Sequence, residues 1–235
     1  PIAIPVDGLN LWLKADVFKL LSNGDAVGSW TDSSGNNNHA EQTIGDRQPK
    51  YITDALNGLP SIRFDGIDDY YIINNTVFNG INTGATIFLV LKHFSLTDSS
   101  TFGAEPDDTN SRFLSHFPLK NKVAYFDFGN IRAGGRVSIS SQVNTNEVVM
   151  GIFMAGYNKT TIKVARPPLY DFTQSQVKSS SMFNPTGKVL YMGQNSSLTA
   201  EYMNCDVFEF IIYNKVLSEI EILEVEDYLK LKYGL

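Results

Sequence analysis

The feature that narrows the possible folds most is a succession of short apolar or alternating segments cut apart by Gly, Asn, Asp and Pro. Leu9 to Lys14, Ser61 to Phe64, Tyr70 to Ile73, Ala85 to Phe94, Arg112 to Phe117, Lys122 to Phe128, Val148 to Ala155, Thr160 to Ala165, Lys188 to Met192 and Val207 to Tyr213 read as strands. Turn-forming clusters separate them, as in Gly80 to Gly84, Glu105 to Ser111 and Asn184 to Gly187. Many strands with little helix bury their apolar faces only by stacking two sheets or closing a barrel. At 235 residues and 43% hydrophobic, the chain is long enough to form one such core, so we expect a single all-β domain over 1–235.

One segment breaks the pattern. After Leu217, Ser218 can cap a helix and Glu221, three residues on, completes a capping box. Ile222, Val225 and Leu229 then share a face, with Tyr228 and Leu231 at its margins, until Gly234 ends the run. This C-terminal helix is expected to latch onto the sandwich, with Glu219, Glu221, Glu224, Glu226 and Asp227 on its solvated side.

The 19 basic and 25 acidic residues give a formal charge of −6 without long runs, which argues against nucleic acid or an anionic membrane as partner. No run of about 18 apolar residues suggests membrane insertion. No basic-then-apolar leader opens the chain and its first residue is proline, so we expect a module cut from a larger protein. Cys205, the only cysteine, sits in the strand-like MNCDVFEF and reads as a small buried hydrophobe. The N-x-S/T triplets at Asn74, Asn158 and Asn195 carry no weight in an Asn-rich chain.

The two ends carry a more specific signal. Leu11-Trp12-Leu13, then Trp30-Thr31-Asp32-Ser33-Ser34-Gly35, then Phe64-Asp65-Gly66-Ile67-Asp68-Asp69 stand near the start, and Glu209 to Tyr213 leads into the capped helix at the finish. In that order they resemble the laminin-G-like, concanavalin-A-type jelly-roll family, a two-sheet antiparallel sandwich closed by strands from both termini. The resemblance implies a glycan- or protein-binding domain of an extracellular, cell-surface or virion-associated protein, sometimes with calcium near the ligand rim. The residues themselves explain structure first. Trp12 and Trp30 are core anchors, while Asp32, Ser34, Asn36 and Asp65-Gly66 have turn chemistry. Strand alternation points Asp68 and Asp69 to opposite faces, against their acting as a ligand pair.

Alternation also picks out a candidate site. In Lys122 to Phe128 it buries Ala124, Phe126 and Phe128 and exposes Val123, Tyr125 and Asp127; in Arg112 to Phe117 it buries Phe113 and Phe117 and exposes Arg112, Leu114 and His116. Pairing of the two across the Leu119-Lys120-Asn121 turn would gather Arg112, His116, Tyr125 and Asp127 into one patch. An aromatic face for C–H groups beside polar groups for hydroxyls suits a sugar. An ordinary solvated sheet with cross-strand pairs explains the same residues. A second candidate is the stretch Thr97 to Asn110, read as a long loop, where Glu105, Asp107, Asp108 and Asn110 could together hold calcium.

The expected function is non-catalytic recognition of a glycan or cell-surface polysaccharide. Contact with protein, or a structural place in a fibre or virion, is the second binding reading. The same fold hosts glycoside hydrolases and polysaccharide lyases, yet no strand carries the paired carboxylates, about 5 to 9 Å apart, that hydrolysis needs. Arg112, His116 and Tyr125 make a lyase the more plausible of the enzymatic alternatives. The three histidines lack zinc spacing, and no G-x-S-x-G elbow is present. The Gly134-Gly135 pair in NIRAGGRVS reads as a turn between strands.

Overall fold

The computed structural model describes residues 3–166, 170–177, 182–194 and 202–235. Asn195 and much of the Ser-rich stretch 177–183 lie outside these residues. Two antiparallel sheets stack as a jelly-roll sandwich. Numbered along the chain, the first sheet holds β1 (Leu9–Lys14), β4 (Lys50–Leu56), β5 (Leu59–Asp65), β7 (Ala85–Ser95), β12 (Val148–Ala155), β13 (Lys159–Arg166), β14 (Tyr170–Val177) and β16 (Asn204–Tyr213). Their order is β14-β13-β12-β7-β16-β5-β4, with β1 also pairing to β16. The second holds β2 (Ser29–Trp30), β3 (Ala40–Glu41), β6 (Tyr71–Ile73), β8 (Phe102–Glu105), β9 (Arg112–His116), β10 (Val123–Gly129), β11 (Arg136–Ser140) and β15 (Val189–Met192), in the order β11-β10-β9-β8-β15-β6-β3-β2.

The continuous apolar run of β7 follows from burial on both faces. Ile87, Leu89 and Leu91 point into the space between the sheets, while Phe88 and Val90 point outward into a second cluster under the C-terminal helix. Strand β16 does the same with a twist. Cys205 and Val207 face the inner core, as do Phe210 and Ile212, so the inward parity changes where the register shifts between Val207 and Glu209. A bulge of this kind places two successive residues on one side of a strand. Here Phe208 enters the outer cluster and Glu209 takes the hydrogen bonds that anchor the helix.

Helix α1 (Glu219–Tyr233) starts at Ser218, whose hydroxyl accepts from the Glu221 N–H while the Glu221 carboxylate accepts from the Ser218 N–H; it ends at Gly234, left-handed at φ 68°. Val225, Leu229 and Tyr233 pack on Phe88, Met150, Ile152 and Phe208. The buried Glu209 carboxylate accepts from Trp12 Nε1 (2.5 Å), Lys232 Nζ (2.8 Å) and the Tyr233 hydroxyl (2.7 Å), joining both ends of the chain. Three expectations need correction. Trp30 is a fully buried anchor between the sheets, but Trp12 is only half-buried and belongs to the outer cluster. Glu226 is not solvated: it is 1% exposed and paired with Lys163 and Lys230, because its neighbour on the sheet side is a lysine. Leu231, placed at the margin of the packed face, is 73% exposed.

Trp30 donates to the Lys14 carbonyl, and the adjoining Asp32 accepts from Trp12 N, Ser34 N and Asn38 N. This segment is a turn clamp, as its short polar side chains suggested. Between the sheets, a nest of rings meets at 5.3 to 5.6 Å, with Phe102 against Phe113, Phe153 and Phe210. Thr97 to Asn110 is not one loop. Phe102 to Glu105 forms β8 inside it, buried throughout, because Phe102 is needed in that nest.

Candidate functional site

Helix α1 covers the outer face of the first sheet; no helix covers the outer face of the second among the described residues. There, β10 lies between β9 and β11. Tyr125 is opposite His116 and Ser138, and Asp127 is opposite Leu114 and Arg136. The hairpin brings Arg112, His116, Tyr125 and Asp127 together on one face.

Their chemistry differs from the expectation in two places. Asp127 is fully buried and does not present its carboxylate to solvent. Arg136 grips it in bidentate fashion, Nε to Oδ1 at 2.7 Å and Nη2 to Oδ2 at 2.6 Å, and Arg112 adds Nη1 to Oδ2 at 3.3 Å. Arg112 in turn pairs with both oxygens of Asp107, one of them at 2.7 Å from Nε. These hydrogen bonds raise the pKa of both guanidinium groups and hold the Asp107 carboxyl below its ordinary range. Leu114, also expected outside, is 1% exposed because it folds over Gly103, where a Cβ would stand 3.4 Å from its Cδ1.

Tyr125, His116 and Arg136 reach toward solvent. Tyr125 is half-buried with the Arg136 guanidinium over its ring at 5.2 Å, a favourable cation–π placement, and its hydroxyl has no partner among the described residues. His116 meets the ring edge-on at 6.1 Å. Its Nδ1 lies 3.0 Å from the Ser99 carbonyl oxygen, which makes Nδ1 the donor and leaves Nε2 as an acceptor. Burial lowers its pKa, so the ring is neutral at pH 7. Arg136, missed in the sequence, has side-chain exposure of 36% and a free Nη1 among the described residues. The alternation of Arg136, Ser138 and Ser140 with Val137 and Ile139 was the available signal.

The same face carries a second aromatic feature. Tyr191 and Tyr70 stack at 5.8 Å and 17°. Cross-strand register runs Tyr191, Gly103, Leu114, Asp127, Arg136. Four strand spacings of about 4.8 Å put roughly 19 Å between its ends.

The proposed calcium ligands do not form a fitting set as they stand. Asp107 faces Arg112, Glu105 is buried and accepts from Asp107 N, and Asp108 accepts from Asn110 N, so these acids close their own turn. Instead, the carboxylate oxygens of Asp65, Asp68 and Asp69 lie within 4.8 Å of one another. The expectation that Asp68 and Asp69 diverge fails because both lie in the turn before β6, outside strand geometry. Burial, then the nearby Asp65 charge, pushes Asp69 up to about 7. Asp65 Oδ1 accepts from Ile67 N and Asp69 Oδ2 from Asp65 N, which is hairpin closure by short acidic side chains.

No protein-family model and no curated protein matches the sequence. Solved structures do match in shape. Domain 4 of an extracellular arabinanase from Geobacillus stearothermophilus, in complex with arabinotriose, aligns at TM-score 0.61 and 13% identity over 91% of this chain and 96% of that one. The binding domain of botulinum neurotoxin DC, in complex with SialylT, gives 0.62 and 15% over 95% and 52%. Trypanosoma rangeli sialidase gives 0.61 and 14% over 96% and 34%, so this chain spans about a third of that enzyme. At these identities the likeness is one of fold. The chain is a β-sandwich similar to carbohydrate-binding and glycoside-hydrolase structures.

Proposed function

We propose that this chain is a non-catalytic recognition module of the laminin-G-like type that binds carbohydrate at a cell or particle surface through the open face of its second sheet. One observation carries the reading: Tyr125 stands on that face between a neutral His116 and a half-exposed Arg136, whose position is fixed from below by the buried Asp127. A ring edge and face for sugar C–H groups, with hydroxyl, imidazole and guanidinium groups beside it for sugar oxygens, is the chemistry that glycans require. The glycan complexes of the arabinanase domain and the toxin domain support the class of ligand. The ion pairs support a binding role over lyase chemistry, since Arg112 has its guanidinium committed to two carboxylates.

A glycan-array screen, with and without a calcium chelator, beside an assay for polysaccharide depolymerisation tests this. The expected result is retention of a defined glycan class without product release. Release of oligosaccharides overturns the non-catalytic part of the reading; absence of any glycan binding overturns the whole.

A further inference from the structure

A separate cavity of about 470 Å³ opens at the rim, between the turns that follow β6 and the segment that leads into β15. Phe78, Asn79, Asn82, Phe183, Asn184 and Thr186 line it. None of the described lining residues is charged. The walls are fixed by main-chain bonds. The Asn79 carbonyl accepts from both Asn10 Nδ2 (2.7 Å) and Asn214 Nδ2 (3.0 Å), and Asn184 N donates to Ser111 Oγ at 2.7 Å. The side chains are left over. Asn79 and Asn82 are exposed with no carboxamide partner among the described residues, and Asn184 uses only its oxygen, accepting from Thr186 N at 3.1 Å.

From this we infer that the rim cavity is a second binding site, specific for a neutral sugar. A carboxamide offers two donors and an accepting oxygen in one plane, which matches a pair of adjacent hydroxyls that each donate and accept. Met182 and Pro185, backed by the buried Phe78 and Phe183 rings packed at 5.2 Å, supply an apolar floor for the C–H side. The lack of charge among the described lining residues selects against acidic sugars, which would lose hydration without gaining an ion pair there. Because the backbone is already held, binding orders little beyond three short side chains.

The test is a titration of the ¹⁵N-labelled full chain with xylotriose, cellotriose, arabinotriose and mannotriose, following the side-chain NH₂ signals of Asn79, Asn82 and Asn184. At least one probe is expected to move these signals in a saturable way. Asn82→Ala and Asn184→Ala should each weaken that binding at least fivefold, and Tyr125→Ala should leave it unchanged. Silence of the three amides with all four probes, or an Asn79 shift that persists with unchanged affinity in the Asn82→Ala, Asn184→Ala double variant, overturns the inference. Shifts confined to residues around Tyr125 also overturn it while leaving the sheet-face reading intact.

Discussion

At the scale of single residues, Asp127 and His93 show two different ways in which a buried titratable group is accommodated. Asp127 is buried with two arginines, so it is compensated. Replacing it with Ala leaves Arg136 unpaired and Arg112 with a single partner, and should cost about 3 kcal/mol in urea unfolding. Arg136→Ala leaves the buried Asp127 carboxylate with only the 3.3 Å contact from Arg112 and should cost a comparable amount, about 3 kcal/mol. His93 is handled by staying neutral. Its Nε2 donates to the Phe117 carbonyl at 2.7 Å, its Nδ1 is buried without a partner, and burial pulls its pKa from 6.5 down to about 4. Below pH 6.5 the unfolded chain takes up the proton first, so this term is fully present above 6.5 and is lost as pH falls to about 4. At roughly 1.4 kcal/mol per unit, that window is worth about 3 kcal/mol. His93→Gln, which keeps a donor without the titration, should remove that acid-side loss, read as the wild type-minus-variant stability at pH 7 against pH 4. Asp69 has an opposing slope in the same window, so the difference between proteins is the quantity to follow. Alternation made the membership of the Tyr125 face legible. The burial of Asp127 was not, because it depends on Arg136 from a strand that short, Gly-flanked sequence concealed.

At the scale of elements, the strands that were legible are those with long apolar runs, β7, β12 and β16 among them. Those that escaped have little local signal. β2 and β3 are two residues each, and β8 is four residues whose identity as strand comes from Phe102 meeting rings of the opposite sheet. The helix was legible because its two ends are written locally, in Ser218, Glu221 and Gly234. Its docking was not, since the β16 bulge that delivers Glu209 to Tyr233 and Lys232 leaves no mark in a continuous apolar segment. The capping box predicts that Ser218→Ala lowers stability by about 1 kcal/mol, measured as a shift of the unfolding midpoint at unchanged slope. Little or no change would mean that packing of Val225, Leu229 and Tyr233 alone holds the latch.

At the scale of the whole molecule, the sandwich was legible because both ends of the chain carry motifs that must meet: β1 pairs with β16, and Trp12 donates to Glu209. The candidate surface was only half legible. The residues of one hairpin were found, but the extension to Tyr191 and Tyr70 crosses strands far apart in sequence. The helix covers one sheet, and among the described residues no helix covers the other, which is why recognition is proposed for the second sheet. That assignment stands most directly on calorimetric titration of the best glycan from the array into wild type and Tyr125→Ala. A central aromatic contact predicts a loss of about 2 kcal/mol, roughly thirtyfold in affinity, with the unfolding midpoint preserved. Equal affinity in the two proteins would contradict it.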